Sequence, residues 1–349
     1  MIGKWMKALG LVALSGLVLL AESVSADAVV FLYHRFGEDR HASTNVRLEQ
    51  FEAHLDYLDR KGFAIWPLDR VVAHHREGRD IPDRTVVITV DDAYLSVYTE
   101  AFPRLKARGW PFTVFVSTQA VDQRLAGFMT WEQMREMGEH GVSYGNHGVT
   151  HDYLVRRKTG ETDSQWRERM QWELDRAQQR LSEELGVEEK LFAYPYGEYD
   201  EPLANLVRDS GYVAFGQHSG AVGRYADPRA LPRFPMAEAF APIEQFANKA
   251  DSLALPVRQA TPWNPIIANE NPPRLELQLE KRLPRAKEMR CYVTGQEPAE
   301  LQWLDTAYTR IAVRARAALA QGRSRYNCTV PGPQGRFYWY SHLWLVVKQ

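Results

Sequence analysis

The sequence predicts an α/β fold over residues 27–255, followed by a small, mostly β C-terminal domain over residues 274–349. In the first part, short β-branched runs alternate with amphipathic stretches, and this alternation favours a parallel sheet. A proline-rich segment at 256–273 then interrupts the pattern and is predicted to be a linker. The strand-like runs of the first part end at His34, Val90, Val116, Asn146, Tyr194 and Phe215.

The clearest helix is predicted from about Ser164 to Leu185, because apolar residues recur there every three or four positions. Gly186 supplies a stop signal, and we expect the apolar stripe to pack in the core. In the C-terminal domain, Arg274–Gln278 and Leu343–Val347 are typical of strands. Residues 306–320 are rich in alanine and arginine, and this composition favours a short helix.

The first 26 residues are typical of a secretory signal peptide. Lys4 and Lys7 precede the apolar stretch Leu9–Leu20, and the small residues Val24-Ser25-Ala26 offer a cleavage site. A membrane anchor is the alternative interpretation, but the apolar stretch is short for a span. We therefore expect a periplasmic or secreted protein without a stable membrane span after signal removal.

Charge and cysteine content bound the remaining possibilities. The formal net charge is −1 and no extended basic stripe is visible, so nothing in the composition indicates nucleic-acid binding. The only two cysteines, Cys291 and Cys328, could form one disulfide in an oxidising compartment. Two free, buried thiols are the alternative.

Two pairs of polar residues indicate a metal site. Asp91 and Asp92 follow the β-branched run at 85–90, and functional groups of α/β folds gather where such strands end. His147 and His151 are four positions apart, which on a helical turn would place both imidazoles on one face. One aspartate and two histidines would leave a coordination position open for water, as catalytic metal sites do. Taken singly, an aspartate pair can also cap a helix, and histidine pairs are common.

At these residues the chain resembles the polysaccharide deacetylases of carbohydrate esterase family four, also called the NodB-homology family. The first family motif, TFDDG, matches TVDDA at 89–93, and the second, H-[ST]-x-x-H, matches HGVTH at 147–151. The resemblance covers about residues 28–255 and implies a distorted, incomplete (β/α) barrel. It also implies that Asp92, His147 and His151 hold the metal and that Asp91 is the general base.

The third family motif, R-x-P-[FY], lines one side of the substrate groove and is matched around residues 192–197, but Ala193 stands at its arginine position. In the family this arginine orients the catalytic aspartate, so we predict that another cation does so here, and Arg233 is the candidate. A surface or loop-packing role is the alternative for Arg233. The residues predicted to bind substrate are Tyr94, Tyr194, Pro195, Tyr196 and His218.

No clean copy of the family's late L-x-H motif, which supplies the general acid, follows residue 200. Instead, Tyr33-His34 ends the first strand, and this resembles the branch that deacetylates poly-β-1,6-N-acetylglucosamine, whose permuted barrel brings the acid histidine to the N-terminus. We therefore predict His34 as the general acid, with His218 as the alternative.

The resemblance implies a metal-dependent hydrolase that removes N-acetyl groups from a polymer of N-acetylglucosamine, in an exopolysaccharide or a cell-wall glycan, and releases acetate. The nitrogen and oxygen ligand set suits zinc and is also compatible with cobalt, nickel or manganese. The polysaccharide is the expected partner, and the machinery of exopolysaccharide export or synthesis is a candidate partner. The alternatives are a secreted glycan-binding protein without turnover and an O-acetyl esterase of the same family.

Overall fold

The computed structural model describes residues 27–268 and 270–347. The predicted signal peptide at 1–26 lies outside this part of the chain. Within it, the helices are too short or too polar to cross a membrane.

A curled, nine-stranded sheet forms the N-terminal part, and its main path runs in the order β10-β1-β5-β6-β7-β8-β9. Neighbours from β1 to β9 are parallel, whereas β10 is antiparallel to β1. Two short strands, β4 and β11, pair with β5 and β1 beside this path, and β2 pairs with β3 separately. The strands are β1 (Ala28–Tyr33), β2 (Arg35–Phe36), β3 (Asn45–Val46), β4 (Ala64–Ile65), β5 (Thr85–Asp91), β6 (Phe112–Val116), β7 (Val142–Asn146), β8 (Leu191–Ala193), β9 (Val213–Phe215), β10 (Ala221–Val222) and β11 (Phe234–Pro235). The predicted α/β class and distorted barrel are confirmed.

One irregular segment, residues 231–235, lies between the two ends of the curled sheet. Leu231 forms a parallel bridge with Phe215 of β9, and Phe234 pairs with Phe31 of β1. The backbone N–H of Arg233, between these two points, donates to the carbonyl of His218. The segment therefore brings Arg233 to the barrel next to the strand ends.

The helices pack around this sheet, and the longest of them was the one that the sequence predicted most clearly. It begins after Thr162, whose side chain accepts a hydrogen bond from the backbone of Gln165, and it ends at Gly186, which has a left-handed φ of 66°. The helices are α1 (Leu48–Arg60), α2 (Leu68–Arg76), α3 (Phe102–Ala107), α4 (Thr118–Asp122), α5 (Trp131–Gly138), α6 (Asp163–Leu185), α7 (Glu201–Asp209) and α8 (Ile243–Ala250).

Two four-stranded sheets, ordered β12-β19-β18-β15 and β13-β14-β17-β16, form a sandwich in the C-terminal part. Its strands are β12 (Leu253–Ala254), β13 (Val257–Thr261), β14 (Arg274–Leu279), β15 (Arg290–Val293), β16 (Glu300–Trp303), β17 (Arg310–Arg314), β18 (Gly322–Pro331) and β19 (Phe337–Val346). Cys291 and Cys328 face each other across β15 and β18 and form a disulfide in the sandwich core.

Two features of the C-terminal part differ from the sequence-based expectation. Val257–Thr261 lies within the predicted linker but pairs with β14 as a strand. The short helix favoured by the composition of 306–320 is wrong, because β17 lies there between β14 and β16. Ile311 and Val313 are buried in the sandwich core while Arg310 and Arg314 remain exposed, so packing overrides the helix propensity of alanine and arginine.

The sandwich is packed directly against the barrel. β12 follows α8 of the barrel yet pairs with β19, and Trp339 of β19 meets Phe234 edge to face with ring centroids 5.2 Å apart. Arg336 donates to the carbonyl of Asp251 at 2.6 Å and to the carboxylate of Asp83 at 2.8 Å. Arg336 and Trp339 therefore both contribute to this interface.

Candidate active site

The two adjacent aspartates lie where β5 ends in a left-handed turn. Asp91 is the last residue of β5, and Asp92 and Ala93 have φ angles of 78° and 57°. For non-glycine residues such angles cost roughly 1–2 kcal/mol each. Backbone hydrogen bonds hold the turn, from Asp92 N–H to the carbonyl of Phe115 and from Met129 N–H to that of Ala93. The turn allows the two carboxylates to enter different surroundings.

The two histidines lie on a loop after β7, not on the helical turn that their spacing suggested. Gly148 and His151 have φ angles of 77° and 58°, so the chain reverses without forming a helix. The loop is held by the carboxylate of Glu173, which accepts hydrogen bonds from the backbone of Val149 at 2.6 Å and from the hydroxyl of Thr150 at 2.6 Å. A buried acid on α6 thus replaces the backbone hydrogen bonds that a helix would have supplied.

The supporting role of Glu173 was not predicted from the sequence, because the apolar stripe of α6 indicates core packing alone. A glutamate next to Leu174, one turn after Met170 on the buried face, was the available signal. It also accounts for Gly148, where the family motif has a hydroxyl residue. A Cβ at position 148 would lie 3.1 Å from Glu173 Oε2, in addition to the unfavourable φ.

Asp92, His147 and His151 meet in one place, with one ligand atom of each residue within 4.8 Å of the other two. Asp92 Oδ1 lies 3.3 Å from His147 Nε2 and 3.0 Å from His151 Nε2. The Nδ1 of His147 lies 2.7 Å from the carbonyl of Ala193, which can only accept, so Nδ1 carries the proton and Nε2 presents a lone pair when the ring is neutral.

This arrangement fits a divalent cation. Asp92 Oδ1 and His147 Nε2 are both buried, and neither has a hydrogen-bond partner within the described residues. Buried atoms of this kind are costly unless something binds them. Two imidazole nitrogens and one carboxylate oxygen form a typical three-residue set for a catalytic zinc ion.

The protonation of these groups follows from their mutual charge. Burial alone would raise the pKa of Asp92, but the neighbouring rings of His147 and His151 hold it well below its usual range. Burial would likewise lower the pKa of His147, yet the charges of Asp91 and Asp92 raise it. The site therefore favours an ionised carboxylate beside the two rings.

Asp91 and Arg233 form a fully buried pair. Both Nη atoms of Arg233 donate to the two carboxylate oxygens of Asp91 at 2.8 Å, and its Nε donates to the carbonyl of Gly216 at 3.0 Å. Burial would raise the pKa of Asp91, but the guanidinium charge, with His147, lowers it below the ordinary value. The structure thus brings together the aspartate and the arginine that were predicted as partners.

The two histidines considered as general acid lie in different places. His34 directly follows β1, in which Tyr33 pairs with Val90, so His34 lies beside Asp91. Burial lowers its pKa, while Asp92 and Asp91 act to raise it. His218 is instead buried near the sandwich, with its ring centroid 6.1 Å from that of Tyr199, and burial followed by the charges of Arg325 and Arg233 lowers its pKa to about 3.

Two of the residues predicted to bind substrate lie beside the cluster of Asp92, His147 and His151. They are Tyr94 and Tyr196. Tyr94 carries the guanidinium of Arg35 over its ring at 3.4 Å, and burial together with the charge of Asp92 raises its pKa to about 12. Tyr196 places its ring edge to face with His151, with centroids 4.6 Å apart, and stacks on Tyr153 at 3.9 Å. Tyr94 follows β5 in the chain, and Tyr196 follows β8.

Tyr194, which was predicted to bind substrate, lies in the interior of the protein. Its side chain is fully buried, and its hydroxyl donates to the carbonyl of Arg229 at 2.8 Å. Pro195 is also buried and begins the short 3₁₀ turn that carries Tyr196. His218 belongs to the barrel–sandwich interface, so a contact with substrate would require it to become exposed. The motif identifies the turn correctly but does not reveal which of its side chains face inwards.

The comparisons with known proteins agree with the geometry of the site. Residues 78–215 match the family model described as polysaccharide deacetylase. The chain is 26% identical over 205 residues to YxkH of Bacillus subtilis, covering 58% of this chain and 69% of that protein. It is 23% identical over 284 residues to the poly-beta-1,6-N-acetyl-D-glucosamine N-deacetylase of Escherichia coli, covering 70% of this chain and 42% of that protein. The chain therefore spans less than half the length of the Escherichia coli relative.

The fold of this chain also resembles those of solved structures. IcaB from Ammonifex degensii superposes with a TM-score of 0.55 at 25% identity, over 64% of this chain and 97% of that chain. The deacetylase PplD of Streptococcus pyogenes, determined in complex with acetate, gives a TM-score of 0.58 at 20% identity, over 64% and 98%.

Proposed function

We propose that this chain, whose residues 78–215 match the polysaccharide deacetylase family model, is a metal-dependent enzyme acting on a polymer of N-acetylglucosamine. It would hydrolyse the N-acetyl amide and release acetate, leaving a glucosamine unit in the chain. The names of the Escherichia coli relative and of its staphylococcal counterparts support poly-β-1,6-N-acetylglucosamine as the substrate.

The proposal rests mainly on one observation, which is that two adjacent carboxylates make different contacts. Asp91 has both oxygens bound by Arg233, whereas Asp92 presents a buried oxygen to two imidazoles. One acid is thus held ionised and oriented, and the other is available as a ligand. A metal-assisted hydrolysis needs both roles within a few ångströms of each other.

In this mechanism a divalent cation held by Asp92, His147 and His151 would lower the pKa of a water molecule and polarise the acetyl carbonyl. Asp91 accepts the proton of the attacking water, and Arg233 keeps its carboxylate ionised for that purpose. The water oxygen bonds to the carbonyl carbon, and the backbone N–H of Tyr196 donates to the developing oxyanion. When the C–N bond breaks, His34 donates a proton to the amine nitrogen, and acetate and the amine are the products.

Zinc is our first choice for the cation because the set consists of two nitrogen atoms and one oxygen atom, although cobalt, nickel or manganese would also suit it. The Cys291–Cys328 disulfide supports action in the periplasm or outside the cell, together with the signal-like N-terminal sequence. The absence of the motif arginine at position 193 favours the alternative, a glycan-binding protein without turnover. Arg233 makes the contact to Asp91, which removes that argument.

The decisive experiment measures acetate release by the wild type and by Asp91→Asn. The substrates are β-1,6-linked N-acetylglucosamine oligomers, β-1,4-linked oligomers and an O-acetylated glycan, each with chelated and with zinc-reloaded enzyme. We expect the β-1,6 oligomers to be hydrolysed best and chelation to stop the reaction. Asp91→Asn should lower kcat by about 10²- to 10⁴-fold while zinc still binds, because only the base is lost.

The matched control is Asp209→Asn, which changes an exposed aspartate on α7 paired with Arg208 and should leave turnover unchanged. Melting temperatures are measured for both variants, since Asp91→Asn leaves Arg233 buried without an anionic partner. Full activity of a folded Asp91→Asn variant would reject the assigned base. Preferential hydrolysis of the O-acetylated glycan would favour the esterase alternative.

A further inference from the structure

The C-terminal sandwich reaches the active site through one side chain. Arg323, near the start of β18, donates a hydrogen bond from Nη1 to the backbone carbonyl of Tyr196. Its Nε lies 3.7 Å from Glu198 Oε1, and its guanidinium carbon lies 6.0 Å from the Tyr196 ring centroid. A residue from the second part of the chain therefore touches the turn that carries the proposed oxyanion donor.

That turn has a backbone conformation that needs support. Tyr196 has φ 59° and ψ 2°, and Gly197 follows with φ 68°. A left-handed tyrosine costs roughly 1–2 kcal/mol, so surrounding contacts must hold it in place. Gly197 cannot be replaced easily, since a Cβ there would lie 2.5 Å from the side chain of Gln217.

The contacts of Tyr196 define the direction of its peptide groups. Its ring packs between His151, a proposed metal ligand, and Tyr153. With the ring held on one side, the bond from Arg323 to the carbonyl fixes the other side of the residue. The two restraints together limit rotation of the Tyr196 side chain and of the peptide group that follows it.

Arg323 is itself held by a buried acid. Glu198 is only 3% exposed, and its second oxygen, Oε2, lies 3.5 Å from Arg156 on the loop after His151. The Arg323 side chain is 36% exposed, so this ion pair limits an otherwise mobile group. The sandwich as a whole is fixed to the barrel through the contacts of Arg336 and Trp339.

We propose that Arg323 is a positioning residue of the deacetylase site, which holds Tyr196 so that its backbone N–H is directed at the oxyanion. The inference rests on the proposed function and extends it, because it makes the sandwich a part of the catalytic unit and not a detachable glycan-binding domain. Arg323 acts through Tyr196 and should therefore affect kcat more than KM.

The test compares Arg323→Met, Arg323→Lys and a control, Arg316→Met, in the zinc-loaded full chain with β-1,6-linked N-acetylglucosamine oligomers. Arg316 is an exposed arginine of the sandwich that pairs with Glu300. Arg323→Met should lower kcat about 10- to 100-fold with KM changed less than about 2-fold, as expected for a misplaced group. Arg323→Lys should recover part of the loss, because an ammonium group can still donate to the carbonyl.

Zinc affinity and melting temperature should be alike in all three variants. Wild-type kinetics in Arg323→Met would overturn the proposal, and so would a raised KM with unchanged kcat, which would indicate a direct substrate contact. Equal losses in Arg323→Lys and Arg323→Met would also contradict it.

A second measurement separates this inference from the proposed function. Crystal structures of the zinc-loaded wild type and Arg323→Met show directly whether Tyr196 keeps its left-handed φ and its contact with His151. We expect Tyr196 to leave this conformation in the variant, and an unchanged Tyr196 would overturn the positioning role. This readout needs no substrate, so it decides the role of Arg323 even if the wild type releases no acetate.

Discussion

His147 and His218 are buried in two different regions of the molecule, and their pKa values shift in opposite directions. In the first, His147 lies beside Asp91 and Asp92, and its pKa is raised although burial acts to lower it. In the second, at the barrel–sandwich interface, burial lowers the pKa of both His218 and His342 to about 3. The charges nearest to His218 are the guanidinium groups of Arg325 and Arg233.

Both regions also leave buried polar atoms without a hydrogen-bond partner among the described residues. In the first these are Asp92 Oδ1 and His147 Nε2, and in the second His218 Nδ1, His342 Nε2 and Arg325 Nε. The difference lies in the carboxylate. A buried anion between two imidazoles attracts a cation, whereas imidazoles beside guanidinium groups are kept neutral. Buried, unpartnered nitrogen atoms are therefore insufficient to indicate a metal site.

Asp92→Asn should have the largest effect on the difference between the two regions, because it removes the anion from the first region and keeps the shape of the side chain. We expect zinc affinity to fall by at least about 100-fold, since even loss of a residue that only supports a ligand costs 10- to 100-fold. Acetate release should fall to background. Titration calorimetry with zinc on the chelated protein measures the first effect and an acetate assay the second. Stoichiometric zinc binding with wild-type affinity would show that Asp92 is not a ligand.

The second prediction compares one histidine from each region as the general acid. His34→Gln should lower kcat by about 10²- to 10⁴-fold, because no proton is then delivered to the leaving amine. His218→Gln should leave kcat close to that of the wild type, because this side chain faces the sandwich. Steady-state kinetics on the same oligomers measure both. If only the His218 variant loses turnover, the assignment based on a permuted barrel is wrong.

The predictions from sequence were most accurate where a local pattern determines the structure. Six strand ends and the long α6 helix follow from hydrophobic periodicity, and the three residues predicted as metal ligands, Asp92, His147 and His151, lie together. The geometry of the loop that carries His147 and His151 could not be predicted from the sequence, because a spacing of four residues is compatible with a helix and with a loop. Glu173 decides between them, and its contact joins positions far apart in the chain.

The contacts of Arg233 show a second limit. Its pairing with Asp91 depends on the irregular segment 231–235, which lies between β9 and β1 and has no periodic signature. The contact was predicted from the family resemblance, because an aspartate that lacks the arginine of the third motif needs another cation. No such argument was available for Arg323, since nothing in the sequence links β18 to the turn at Tyr196.

The smallest expected effect concerns the second region, where stability should depend on pH through its neutral histidines. The usual pKa of histidine is 6.5, and that of folded His342 is about 3, so between these values the unfolded chain binds more protons. Stability is therefore complete above pH 6.5 and decreases as pH falls towards 3, by up to about 1.4 kcal/mol per pH unit for each such histidine. His342→Phe should flatten this slope.

His342→Phe keeps a ring against Trp344, whose centroid lies 4.4 Å from that of His342, and it removes the unpartnered Nε2. We expect the melting temperature at pH 8 to be equal to or slightly above that of the wild type, and at pH 5 to exceed it by a few degrees. The control, His41→Phe, changes an exposed histidine and should not alter the slope. Equal slopes in His342→Phe and the wild type would mean that His342 titrates in the folded protein as it does in water, and the contrast between the two buried regions would then depend on His218 alone.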